Sequence, residues 1–306
     1  MGRDDFKKKG LFALISSLVL WLALFNLSFD TPLSKESQAL FDEYFLQMGD
    51  SPAVSELAKL KSLVVETPRL CDTSTQDCLA WLAEQSLQSA QAEDLARMII
   101  AGRNFRVSKV PGIEDPLLPY GDLYKAIQSY QSRVLNDATL WGPLVVDLQH
   151  WCNQQMDLVG YISCIAMIED TLDVGEYLVK KGRLTVIPEV ILTDDAIRLP
   201  LIGEWIQVNA YISGSFEKET FGWKYWVMPK LARRYFVDVN AMVNASADEF
   251  HQLLGYLEGD EVVVSKVDCD SCGTVGSVIH QVSGPDLTEY IDRHHALITR
   301  IESFGI

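Results

Sequence analysis

DLYKAIQSYQSRVLNDATLWGPLVVDLQHWCNQQMDLVGYISCIAMIEDTLDVGEYLVKKG, residues 122–182, decides the fold class of this chain. Apolar residues recur at helical spacing over Leu123–Leu135, Trp141–Gln155, Leu158–Ile168 and Thr171–Lys180, with only a few residues between stretches. A period near 3.6 places each apolar set on one face, and such short links turn consecutive helices back against one another. The expectation is an all-α chain of packed helical hairpins.

The same periodicity extends outward on both sides. Towards the N-terminus it covers Ser37–Met48, Pro52–Val65 and the long stretch Asp77–Arg103, while Val110–Gly121 carries Pro111, Pro116 and Pro119 and reads as an extended linker. Towards the C-terminus, Asp194–Ser213 reads as a helix broken near Pro200, followed by helical Met228–Asn240 and Ala247–Glu258. Leu287–Phe304 reads as a terminal helix opened by Pro285 and Asp286. Glu261–Val267 and Val275–Val282 are expected to pair as a minor β-hairpin around a cysteine turn. The composition shifts after Lys181-Gly182-Arg183, which divides the chain into a helical region 30–183 and a second, mostly helical region 184–306. The hairpins resemble tetratricopeptide packing, without that repeat's full signature or an exact period.

Gly10–Phe29, GLFALISSLVLWLALFNLSF, has no charged residue. As a helix of about 1.5 Å rise per residue it spans about 30 Å, the thickness of a bilayer core. Arg3, Lys7, Lys8 and Lys9 precede it and Asp30-Thr31-Pro32 follows, so the positive-inside rule puts residues 1–9 in the cytoplasm and the remainder outside. Phe25-Asn26-Leu27-Ser28-Phe29 is a poor small-x-small cleavage site, which favours a retained signal-anchor over a cleaved leader. The expected location is a bacterial inner membrane, crossed once through residues 10–29, with the bulk of the chain in the periplasm.

Lys and Arg number 26 and Asp and Glu 42, for a net charge of −16, and no basic stripe follows residue 10. Nucleic acid is therefore excluded as a partner, because phosphate neutralisation requires clustered cations. With 48% hydrophobic residues the chain can fill a core, which excludes disorder.

The six cysteines form three close pairs in sequence, Cys71 with Cys78, Cys152 with Cys164, and Cys269 with Cys272. An even count in an outward-facing domain reads as disulfides, although six cysteines allow many connectivities. Cys269-Asp270-Ser271-Cys272 admits two further readings. One is a thiol-disulfide centre, against which stand the glycine-rich Gly273–Gly276 that follows and the flanking Asp268 and Asp270, whose charges oppose a thiolate. The other is a zinc site completed by His280, His294 or His295, whose spacing fits no standard frame.

No GxSxG, HExxH, GxxxxGK[ST] or GxGxxG motif occurs, and no cofactor is expected. Glu204 interrupts the apolar run Leu199–Val208 beside Trp205, so partial burial would raise its carboxyl and suit it to general-acid chemistry on peptidoglycan. The structural alternative is a helix-end carboxylate or an ion pair with Arg233 or Arg234. Trp223, Tyr225 and Trp226 in FGWKYW read either as a stacking platform for sugars or a protein partner, or as rings filling the core. His294 and His295 read as a solvated pair and not as metal ligands, since adjacent helical residues point about 100° apart.

Cys71-Asp72, Asp77-Cys78-Leu79, Gly203-Glu204-Trp205, Gly276–Ile279 and Gly284-Pro285-Asp286, with Tyr290-Ile291 and Arg293-His294 beyond, resemble an uncharacterised group of membrane-anchored proteobacterial envelope proteins. That resemblance implies an N-terminal anchor, a cysteine-bracketed turn and a helical exterior, and it implies no activity. The functional expectation is a periplasmic helical domain that binds another envelope protein without catalysis. The alternatives are a glycosidase-type enzyme using Glu204 and, behind it, a CxxC thiol-disulfide protein.

Overall fold

The computed structural model describes residues 31–47, 59–63, 71–84, 90–101, 120–185, 187–217, 238–261, 263–272, 277–278, 280–281 and 286–304. The expected membrane segment 10–29 and the 223–226 aromatic cluster lie outside them. Among the described residues no helix is long and apolar enough to cross a membrane.

The helices whose bounds lie within the described residues are α1 (Lys35–Gln47), α2 (Gln76–Glu84), α3 (Ala90–Ala101), α4 (Tyr120–Asn136), α5 (Trp141–Cys152), α6 (Leu158–Lys180), α7 (Asp195–Glu217), α8 (Val239–Leu257) and α9 (Thr288–Glu302). They form two compact units interleaved along the chain. The larger contains Ala39–Tyr211, Phe250–Ser265 and Pro285–Ile306; the smaller contains Ile212–Glu249, Lys266–Gly284 and the described residues up to Gln38.

The larger unit is organised around α6, which packs on α4, α5 and α9, while α2 and α3 cover α4 and α3 also meets α5. A helix with neighbours on several sides must be apolar on more than one stripe. Its buried residues accordingly run from Leu158 and Tyr161 through Ile165, Ile168 and Leu172 to Leu178. Asp157 opens α6 by accepting the Gly160 N–H on Oδ1 at 2.7 Å. Lys181-Gly182-Arg183 closes it. Gly182 is left-handed at φ +68°, its N–H reaches the Val179 carbonyl at 2.8 Å, and the Arg183 N–H reaches Leu178 at 2.9 Å. The Arg183 guanidinium then donates to the terminal α4 carbonyls of Leu135 and Asn136 at 2.6 and 2.9 Å.

Two expected breaks are absent. Residues 158–180 form one helix and not two, because Glu169 and Asp170 fall at half-exposed positions between buried Ile168 and Thr171. Thr171 also donates its hydroxyl to the Met167 carbonyl at 2.7 Å, so the polar run needs no turn. Pro200 lies inside α7, which continues through it. As the sixth residue of α7 it leaves the Ala196 carbonyl without its helical donor, a cost that the helix carries.

The described residues contain no strand, so the all-α expectation holds and the β-hairpin does not. Residues 263–269 are irregular, and the described positions between 277 and 281 are helical. The backbone donors that a partner strand would have taken go to side chains of α8 instead. Ser265 N–H donates to Gln252 Oε1 at 3.1 Å and Val267 N–H to Glu249 Oε1 at 2.7 Å.

In the smaller unit, Asp238 caps α8 through the Ala241 N–H at 2.9 Å and accepts the Thr31 hydroxyl at 2.6 Å. Ala241, Met242 and Ala245 pack against Cys269 and Cys272.

Candidate functional site

Glu204 sits on α7 next to Gly203, which faces the turn before α6. A Cβ on the preceding Gly203 would run into the Met156 carbonyl, the same oxygen that accepts the Tyr44 hydroxyl at 3.1 Å. Next to Met156 stands Asp157, whose Oδ2 accepts the Tyr120 hydroxyl at 2.7 Å while Oδ1 caps α6. Burial raises the Glu204 carboxyl, and the Asp157 charge raises it further. Asp157 is raised as well: burial outweighs the hydrogen bonds from Tyr120 and the backbone that favour its charged form. Among the described residues no cation pairs with Glu204, and the candidate partners Arg233 and Arg234 lie outside them. A carboxyl held above its ordinary range beside a second carboxylate can retain a proton and deliver it, which is the requirement for a general acid.

The cysteines pair locally, as their order in the chain suggests. Cys71–Cys78, Cys152–Cys164 and Cys269–Cys272 have Cα separations of 5.6, 5.6 and 5.4 Å, within the range of disulfide geometry, and no free cysteine is left. The first pins the turn before α2 and the second ties α5 to α6. Cys272 is fully buried and Cys269 is 7% exposed, with Sγ 3.6 Å from the Ala241 carbonyl. Thiol exchange requires an accessible first sulfur, which this packing does not supply.

His294 is not part of a solvated pair. It is fully buried on α9, with Nδ1 2.6 Å from the Tyr161 hydroxyl and Nε2 3.2 Å from Asp194 Oδ1. Burial lowers its pKa to about 4, against the opposing pull of Asp194, so the ring is neutral at neutral pH. His295 is 40% exposed, and its Nε2 is 3.5 Å from the same Asp194 oxygen. Asp194 arrives from a distant part of the sequence because the segment before α7 is pinned to α5. Gln149, fully buried, accepts the N–H groups of Ile191 and Leu192 at 2.8 and 3.1 Å and donates to the Glu189 carbonyl at 2.8 Å. Asn153 adds a bond to the Ile191 carbonyl at 3.0 Å.

Asp157, Asp194, Tyr161 and Gln149 escape sequence reasoning. Asp157 carries the one local signal, a capping residue three positions before Gly160. Nothing local connects Asp194 to residues a hundred positions away. No protein-family model, curated protein or solved structure matches this chain.

Proposed function

We propose that this is a single-pass inner-membrane protein, anchored through residues 10–29, whose periplasmic helical domain binds another envelope protein. The observation that carries the reading is the helical frame around α6, tied by Cys71–Cys78 and Cys152–Cys164, together with the local Cys269–Cys272 pair of the smaller unit, which leaves no thiol free. Such a frame suits an oxidising compartment and a rigid presenting surface. The net charge of −16 argues against flat contact with anionic headgroups and for a protein partner. The resemblance to membrane-anchored proteobacterial envelope proteins points the same way.

The test is capture of the anchored protein from crosslinked, mildly solubilised membranes, with wild type beside Trp223→Ala. One defined envelope protein, recovered with wild type and lost with Trp223→Ala, is the expected result. Equal recovery of the same set by both proteins counts against the aromatic cluster as the binding surface, and recovery of nothing defined counts against the reading itself.

The Glu204–Asp157 pair favours a second reading, an acid-catalysed step on peptidoglycan strands with Glu204 as proton donor. Copurifying glycan whose processing stops in Glu204→Gln, while the fold is retained, would establish it in place of the first.

A further inference from the structure

Adjacent residues on a helix diverge at their Cβ atoms, but imidazole Nε2 lies several bonds further out. Two such rings can therefore converge on a group placed between them. Asp194 is that group. Its Oδ1 lies 3.2 Å from His294 Nε2 and 3.5 Å from His295 Nε2, and one ligand atom from each of the three residues falls within 4.8 Å of the others.

The longer separation exceeds a good N–H···O hydrogen bond, for which about 2.7–3.2 Å is usual. Both separations do match the edge of a metal tetrahedron. Ligands about 2.0–2.1 Å from a zinc ion stand about 3.3–3.4 Å from one another. Two of the three ligand-to-ligand distances therefore fit a shared tetrahedral centre, and the third lies within 4.8 Å.

The surroundings supply what such a centre needs. Tyr161 Oη sits 2.6 Å from His294 Nδ1, where it can accept a hydrogen bond from the Nδ1–H tautomer and leave Nε2 free to ligate. Gln149 and Asn153 hold the 189–192 segment that delivers Asp194. His294 anchors the set from a fully buried position, while Asp194 and His295 are 53% and 40% exposed, so one side is open to solvent. Two imidazoles and one carboxylate form a borderline donor set that suits zinc and its divalent neighbours over calcium or magnesium.

We propose that Asp194 Oδ1, His294 Nε2 and His295 Nε2 form a binding site for a divalent transition metal ion of the zinc class, with a fourth position left to water or an exogenous ligand. The site requires no free thiol and is independent of the function proposed above.

The test is a zinc titration of the metal-stripped full-length chain in detergent against a chromophoric competing chelator, repeated with cobalt(II) to read its visible d–d absorption. The expected result is one equivalent bound by wild type, with tetrahedral cobalt bands. Asp194→Ala and His295→Ala each weaken binding by at least about tenfold and abolish the bands, and His251→Ala leaves both unchanged. Both replaced ligands are partly exposed, so circular dichroism serves to verify that the variants keep the fold. Absence of stoichiometric binding in wild type overturns the proposal, as does undiminished affinity in the Asp194→Ala/His295→Ala double variant.

Discussion

Gly175 of α6 is the seat of the Trp141 indole from α5: a methyl group at position 175 would overlap the ring. The ring has nowhere to retreat. It is fully buried, stacks on Phe304 with centroids 4.7 Å apart, and donates its Nε1–H to the Thr171 carbonyl at 2.7 Å. Glycine lowers helix propensity, yet its missing Cβ is here the condition for the indole's approach to α6.

Gly175→Ala is expected to destabilise the fold. Overpacking a rigid core costs about 1–3 kcal/mol, which outweighs the gain of about 1 kcal/mol in helix propensity. The urea or thermal midpoint of the oxidised protein reads the difference. A midpoint at or above that of wild type would show that the ring can move aside.

Gln149→Leu preserves bulk and removes three hydrogen bonds to residues 189–192. A fully buried backbone group left unpaired costs about 1–3 kcal/mol, and of the three only the Leu192 N–H is fully buried, so a loss of about 2–4 kcal/mol is expected, together with faster amide exchange at Ile191 and Leu192. Unchanged protection at those two amides would contradict the pinning role.

Glu204 and Asp157 impose a pH dependence of definite sign. Their carboxyls are raised in the folded chain, so it binds protons more readily than the unfolded chain, and stability falls as pH rises from the ordinary value of about 4 through the raised range. Glu204→Gln removes the glutamate's share of that penalty. The variant should match wild type at the acid end and become the more stable of the two above the raised range. Denaturant midpoints measured across pH decide it, and a variant that is less stable at neutral pH would mean that the charged carboxylate has a stabilising partner.

Cys152 and Cys164, 12 residues apart, are both fully buried. Replacing both by alanine should cost about 3 kcal/mol by release of loop-closure entropy in the unfolded chain. Under graded reduction of the native protein, the partly exposed Cys71 should be alkylated before either of them. Mass-resolved alkylation gives the order, and simultaneous labelling of all the cysteines would point to global unfolding as the route.

Much of the helical frame was legible because it rests on local periodicity. The stretches around 123–135, 141–155 and 287–304 become α4, α5 and α9 with ends shifted by a few residues. The misreadings share one cause. Glu169-Asp170 looked like a turn and Pro200 like a break, yet each lies in a helix whose other contacts tolerate a polar pair or one lost bond. Glu261–Val267 looked like a strand, but Glu249 and Gln252 of α8 satisfy its N–H groups.

The candidate sites divide in the same way. Glu204 could be singled out because a carboxylate inside an apolar run signals burial wherever the chain goes. Its neighbour Asp157 and the convergence of Asp194 on His294 and His295 are products of tertiary structure, since α6, α7 and α9 must pack before residues so far apart in the chain can meet. By itself the sequence determined the helical class and the acidic balance and favoured local cysteine pairs without fixing their connectivity, all of which depend on spacing and composition. Only the folded chain decided which carboxylate faces which imidazole, because electrostatic and ligand geometry act over a few ångströms of space and not over sequence separation.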